Sequence, residues 1–551
     1  MSNVPARWLN LIWIIGAFAA SLPLVAQSYD FSATFDEQFY LDAGMASWRT
    51  GSNKMLMKAG TMPLPVDLQT LPIYLWERSL GERFVIGDAL DRILPTARKA
   101  TLVFWFALLA FGFLVANHWG GVRAGRAALL LLATEPNLIA HAGLATTDIA
   151  VTAAVLAATY AYAVGRPHGP WRRIVLPGLA YGIAILCKVS ALAFVPIIWF
   201  CIEHHRLALA GAFRAEGFRN RCWTYFRAIG PFRSDFIRQF GIALILTFAY
   251  CGSDWQVERT FVEWTRSLPD GAVKSTLASL FEHLKIFTNA GEALVQQVKH
   301  NMRGHGSYLA GSWHPRAVPH YFFVALAVKL TIPAWLFIGG GTTARWRDWW
   351  GSPAGWIALA LLLFTFNCRV QIGIRLVFPL VAFLVIAASI AWLKSGLSKL
   401  RLGIVLVLIA GQFACSVWQR ADLLRHANPI FGGPGRIHEW LSDSNADWGQ
   451  ALPALATYAQ GRPVAVWYFG VDPRVNREPL AALPLHTLPP ESTGADFDRL
   501  LGGRILAVSS SIRFDNPRRS PAGEKALAWL ATLEEIDRVG PYFIFRPRTS
   551  R

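Results

Sequence analysis

The chain has 551 residues, 54% of them hydrophobic and only 16% charged, whereas an ordinary soluble domain carries roughly 25% charge; a single soluble globule is excluded. Lys and Arg number 53 against 35 Asp and Glu, a formal charge of +18. That excess would suggest a nucleic-acid partner in a soluble protein, but here it falls on loops between apolar blocks, so no nucleic acid is expected.

The blocks run to about 15–22 residues with few or no charges, enough to cross roughly 30 Å of hydrocarbon at 1.5 Å per residue. They lie near 8–26, 99–116, 126–143, 147–164, 174–187, 189–202, 239–252, 321–341, 354–368, 374–393 and 402–418. The fold class predicted is mainly α, a polytopic membrane protein of about eleven transmembrane helices. The first block is long, carries one Arg before it and is followed by further spans, so it reads as an uncleaved helix rather than a secretory signal.

With the N-terminus inside, cations collect on the inner loops: Arg123 and Arg126; Arg166, Arg172 and Arg173; Arg206, Arg214, Arg219, Arg221, Arg227, Arg233 and Arg238; Arg345 and Arg347; Lys394, Lys399 and Arg401. The acids there are Glu203, Glu216, Asp235 and Asp348. This is the positive-inside pattern of a cytoplasmic membrane protein with its C-terminus outside. The arginine stretch of 203–238, interleaved with Phe213, Phe218, Trp223, Phe226 and Phe232, reads as an amphipathic element anchored on inner-leaflet headgroups.

Three segments are too long for connectors: outer loops 27–97 and 253–320, within a membrane module of residues 1–418, and the tail 419–551. The tail holds β-like runs at 463–470 (PVAVWYFG), 504–509 (RILAVS) and 542–546 (YFIFR) and helical patterns near 449–460 and 523–534. It reads as a small α/β domain on the outer face. The cysteines Cys187, Cys201, Cys222, Cys251, Cys368 and Cys415 lie mostly in or beside apolar runs without metal-ligand spacing and read as packing residues.

Charged residues at the membrane boundary are the functional candidates. Asp36 and Glu37 follow the first span in the run Thr34-Phe35-Asp36-Glu37; Glu37 fits a T-x-x-E capping box with Thr34, which leaves Asp36 unexplained. Asp148, in Ala145-Thr146-Thr147-Asp148, either caps the fourth span or joins Asp36 on the outer side. Arg98, Lys99, Lys188, Arg369 and Arg375 add cations on that side, where a charge is costly unless paired or solvated; Lys99 and Arg369 read as headgroup contacts. Carboxylates beside cations at headgroup height suit group transfer from a phosphate-linked lipid, a carboxylate taking a proton from a hydroxyl and the cations stabilising the departing phosphate. His314 and His320 are further residues that could face such a cavity.

These motifs resemble the GT-C glycosyltransferases, in particular the family containing protein O-mannosyltransferases and the bacterial aminoarabinose transferase that modifies lipid A. The likeness is carried by Asp36-Glu37, Ala97-Arg98, Thr147-Asp148, Lys188 in CKVSAL, Tyr321–Pro333 (YFFVALAVKLTIP), Gly373-Ile374-Arg375 with Pro379, and Asp443–Gln450 (DSNADWGQ), in order along nearly the whole chain. It implies GT-C architecture and an inverting transfer of one sugar from a polyprenyl-phosphate donor to a hydroxyl of a lipid, glycan or protein outside the cytoplasmic membrane. In that reading Asp36 is the general base, with Glu37 supporting it and Asp148 orienting the acceptor or the surroundings of Asp36. Arg98, Lys188 and Arg375 hold the donor phosphate, and no metal or other cofactor is required. Asp443–Gln450 also begins like a calcium loop, D-x-N-x-D, but Trp448 stands where such loops need Gly and Ala454 where they need Glu, so a turn packed by Trp448 is expected. The competing classes are a lipid transporter, which favours charges near the bilayer midplane and repeated halves, and a non-catalytic scaffold.

Overall fold

The computed structural model describes residues 6–211, 217–253, 255–257, 259–285, 289–394, 398–515 and 520–547; Phe213, Arg214 and Glu216 of the basic stretch lie outside the described residues. A bundle of apolar helices carries, at one end, the helices of the two long loops and the C-terminal α/β domain. At its centre, Phe378–Leu393 is buried on all sides because it is apolar around its whole circumference. It packs against 102–133, Pro353–Phe364 and Ile332–Thr343. Lys399–Trp418 is peripheral, with only Val405, Gln412 and Ser416 buried; its remaining apolar faces suit lipid.

Among the described residues six helices are long and apolar enough to cross a bilayer, or up to seven when the bent pair Tyr321–Lys329 and Ile332–Thr343 counts as one span. That count goes by length and composition alone, and two features of the chain keep it below the expected figure of about eleven. Several apolar helices are short: Leu176–Cys187 has 12 residues, about 18 Å of rise, less than the hydrocarbon thickness. Others follow one another without a gap: the stretch Leu102–Ala133 is interrupted only at Gly121, at φ 82° and ψ 172°. There the chain reverses, since Gly112 faces Leu132 and Gly125 faces Phe113 and Asn117, making 102–120 and 122–133 an antiparallel hairpin. A second reversal falls at Lys188, whose extended backbone (φ −166°) separates Leu176–Cys187 from Ala191–Leu209; Tyr181 stacks edge-on against Trp199 across it. The bent pair turns through 117° at Leu330-Thr331, where Thr331 caps the second helix by accepting from the Ala334 N–H and Pro333 occupies its first turn.

At the end of the bundle away from the long loops, Arg166 and Arg173 of the inner-loop set have acid partners. Arg166 reaches Glu203 and, at 2.6 Å, Asp235, which Arg173 also contacts at 2.7 Å. Beside them Phe218–Ala228 exposes Phe218, Trp223 and Phe226 together with its arginines, the composition of an interfacial helix.

The C-terminal domain is a five-stranded mixed sheet. With β1 (Ser307–Leu309) and β2 (Ser312–His314) forming a small hairpin in the second loop, the sheet strands are β3 (Val464–Trp467), β4 (Leu480–Ala482), β5 (Ile505–Ser509), β6 (Glu534–Val539) and β7 (Tyr542–Arg546). Their order is β4-β3-β5-β7-β6, parallel among β3, β4 and β5 and antiparallel at β7. β3, β5 and β7 are the apolar runs of the sequence. The helix expected near 523–534 is Pro521–Leu530, and Glu534 already opens β6, a charged edge strand that lacks the apolar run of a central one.

Candidate active site

The first loop enters the site through a turn whose geometry is set by Glu37. Its Oε2 accepts from the Thr34 N–H at 2.8 Å and from the Thr34 hydroxyl at 2.9 Å; the helix starts at Glu37 with Asp36 as its N-cap, so the Thr34–Glu37 contact closes a turn ahead of the helix and is not the capping box the sequence suggested. The same carboxylate receives Arg98: Nε to Oε1 at 2.8 Å and Nη2 to Oε2 at 2.6 Å. Both side chains are 0% exposed. Arg98 also donates to the carbonyls of Ser28 (2.7 Å), Phe31 (2.9 Å) and Ser32 (3.0 Å), so all five guanidinium N–H groups are occupied. Burial pushes the Glu37 carboxyl up, but the charge and hydrogen bonds of Arg98, with the N–H groups of Thr34 and Ala145, bring it below the usual range. Arg98 is therefore not placed to hold a donor phosphate, and Glu37 does not face the cavity; together they bolt the first loop to the bundle.

Asp36, one residue earlier on the turn, points elsewhere because successive helical positions differ by about 100°. Its Oδ2 accepts from Arg375 Nη1 at 2.9 Å. The same nitrogen lies 3.4 Å from Asp148 Oδ2, and Asp148 Oδ1 accepts from Lys188 Nζ at 2.6 Å. The result is a chain of alternating charge, Asp36–Arg375–Asp148–Lys188, drawn from four separate segments. Asp148 is wholly buried, whereas Asp36 and Lys188 keep 25% and 26% of their side chains exposed. Asp148 opens its helix with no side-chain capping bond from Thr147: its carboxylate serves the two cations.

Arg375 is held from behind by the segment Asp443–Gln450. Its Nε donates to Ser444 Oγ at 3.1 Å, and its guanidinium carbon lies 4.1 Å from the centre of the Trp448 ring, a cation–π contact in a desolvated setting. Asn445 Oδ1 accepts from the Ile374 N–H at 3.0 Å while its amide donates to the Tyr321 hydroxyl at 2.9 Å. Lys329, at the break of the bent pair, donates to the carbonyls of Leu424 (2.7 Å) and Asn445 (2.8 Å). Trp448 is buried, as the sequence suggested.

These groups border a cavity of about 1130 Å³. Asp36, Lys188, Arg375 and Asp443 form its charged wall, and Leu192, Phe194, Leu294, Val298 and Phe364 are among its apolar lining. Tyr40 also lines it; burial, with Asp36 nearby, pushes its phenol up, so it stays a neutral donor. Burial raises Asp443 to about 6, against the pull of Arg375. Arg369, read from sequence as a headgroup contact, lines the cavity with His300, Asn301 and His305, whereas His314 and His320 do not. His300 and His305 sit on or just after the helix Asn289–Arg303 in a loop with no chemical motif in sequence, and only the packing of that helix against the first loop brings them to the cavity.

A helical membrane bundle with a charged, partly apolar cavity beneath an α/β domain is thus the class of protein defined here. No family model and no curated protein matches the chain. Among solved structures it is similar to ArnT from Cupriavidus metallidurans in the apo state, at 14% identity over 98% of each chain with a TM-score of 0.46. It is similar also to ArnT bound to undecaprenyl phosphate, at 14% identity over 97% of each chain and a TM-score of 0.46. The Archaeoglobus fulgidus oligosaccharyltransferase in the apo form is similar at 11% identity over 92% of this chain and 70% of that one, with a TM-score of 0.42.

Proposed function

We propose that the chain is a membrane glycosyltransferase that moves a single sugar from a polyprenyl-phosphate donor to a hydroxyl on the outer side of the cytoplasmic membrane, with inversion at the anomeric carbon. The observation that carries this reading is the bridge made by Arg375 between Asp36 and Asp148, with Lys188 on the far side, along one wall of a cavity large enough for a sugar and part of a prenyl tail. Donor phosphate binds Arg375 and Lys188, and the apolar lining takes the first isoprene units. Engaging the phosphate draws Nη1 of Arg375 away from Asp36 and frees that carboxylate. The acceptor oxygen then bonds to the anomeric carbon while its proton passes to Asp36. The bond from that carbon to the phosphate oxygen breaks, and its electron pair leaves with the phosphate, stabilised by the two cations. Asp148 touches neither substrate; it keeps the cations in register. No metal or other cofactor enters this reading.

The test is Asp36→Asn in the purified full-length protein, assayed for sugar release from undecaprenyl-phosphate sugars in the presence of membrane extract as acceptor source. Loss of a positioned base lowers turnover by about 10²- to 10⁴-fold with the melting temperature unchanged; an Asn variant that turns over at the wild-type rate overturns the assignment.

A further inference from the structure

The segment Asp443–Gln450 does more than support Arg375, because its first residue faces the cavity. Resting on the reading above, we propose that the Asp443 carboxylate accepts hydrogen bonds from hydroxyls of the transferred sugar and so helps decide which sugar is used. Asp443 sits at φ 56°, a left-handed conformation uncommon for a non-glycine residue that persists where the surroundings impose it. Here they do. The Asp443 N–H donates to Ser511 Oγ at 3.2 Å, Ser444 is tied to Arg375 and to the Ile372 carbonyl, and Asn445 to Ile374 and Tyr321. Both sides of the residue are thereby anchored, one to the α/β domain and the other to the stretch that carries Arg375.

The carboxylate itself is half used. Oδ1 accepts from the Ser444 N–H at 2.6 Å, and among the described residues no hydrogen bond reaches Oδ2. An acceptor-only oxygen on a cavity wall recognises a donor. It repels the phosphate, which belongs with Lys188 and Arg375, and it adjoins the space where the sugar must lie between that phosphate and Asp36. A fixed carboxylate discriminates among sugars by which hydroxyl meets it, since a site built to pair with a hydroxyl rejects an analogue that leaves it unpaired.

Binding of undecaprenyl phosphate, bare or carrying mannose, glucose, galactose or aminoarabinose, to the full-length protein in nanodiscs separates the possibilities. The wild type is expected to bind the bare lipid and to bind one sugar-bearing form at least tenfold more tightly. Asp443→Asn and Asp443→Gly, the latter suited to the left-handed backbone, are expected to bind the bare lipid at least as tightly as the wild type does, since a repelling charge is gone, and to lose that sugar increment. Variants that keep the increment, or that lose the bare lipid equally, overturn the role of Asp443 while leaving the lipid-donor reading intact. A wild type that binds none of these lipids overturns both.

Discussion

Arg98→Ala separates a structural ion pair from a substrate-binding cation. The substitution removes six donated hydrogen bonds: two to Glu37 and four to the backbone carbonyls of Ser28, Tyr29, Phe31 and Ser32. Glu37 keeps only the N–H and hydroxyl of Thr34 and the N–H of Ala145, at 2.8–2.9 Å. Because both partners are wholly buried, deleting one leaves an uncompensated charge, which costs about 3–5 kcal/mol. The pH dependence has a definite sign. With Arg98 present the folded carboxyl lies below its unfolded range, so the pair contributes stability above pH ~4.3 that is lost as pH falls through the folded value. Without Arg98 burial dominates, the folded value rises above the unfolded one, and the variant becomes less stable as pH increases. Arg98→Ala combined with Glu37→Gln removes the charge and is expected to recover part of the loss. Thermal unfolding in detergent can be followed with a thiol-reactive dye: Cys187, Cys201 and Cys251 are buried and report unfolding, while exposed Cys222 sets the baseline. If Arg98→Ala melts with the wild type and only undecaprenyl-phosphate binding is lost, Arg98 is a ligand and the structural assignment fails.

Asp148→Ala leaves Lys188 and Arg375 facing each other without their shared, buried counter-charge; a stability loss of about 3–5 kcal/mol and a fall in turnover are expected, and wild-type melting and turnover would refute the anchoring role. Asp447 is raised to about 7 by burial, above an unfolded value of ~3.9. The folded chain therefore binds the extra proton between these values, and stability falls as pH rises from 4 to 7. Asp447→Asn is expected to flatten that fall in melting temperature, and an unchanged slope refutes it. Gly121→Ala meets no atom within 4 Å but must hold φ 82° with ψ 172°, a region essentially reserved for glycine, so its cost is backbone strain of about 1–3 kcal/mol; a variant as stable as the wild type would mean the hairpin does not turn there.

The sequence distinguished buried from boundary charges but not one boundary charge from another. Arg98 and Arg375 look alike in hydropathy, each a cation at the head of an apolar block, and they differ only in what folds around them: backbone carbonyls and Glu37 for the first, two carboxylates and a cavity for the second. The central strands β3, β5 and β7 were legible because burial on both faces demands apolar runs. The edge strands β4 and β6 were not, since an edge tolerates Pro479 beside it and the charges of EEIDRV. The reversal at Gly121 falls in the break between the blocks 99–116 and 126–143, where Arg123 and Arg126 mark an inner loop; the short helices were not legible, because hydropathy reports apolar length and not where a helix ends inside it.

Asp36 and Glu37 acquire different tasks because a helical turn aims adjacent side chains about 100° apart, and the two tasks are mechanically linked. The Glu37–Arg98 pair fixes the C-terminal flank of Asp36 to the bundle, while the Phe35 N–H donates to the Trp448 carbonyl at 3.0 Å and ties its N-terminal flank to the segment that stacks on Arg375. Asp36 is thus held on one side by the membrane helices and on the other by the α/β domain, and Arg375 is gripped by that same domain through Ser444 and Trp448. The backbones of the acid and the cation are thus held in register by one shared segment, which under the proposed reading is what would keep the Asp36 carboxylate in place if Arg375 turns to a donor phosphate.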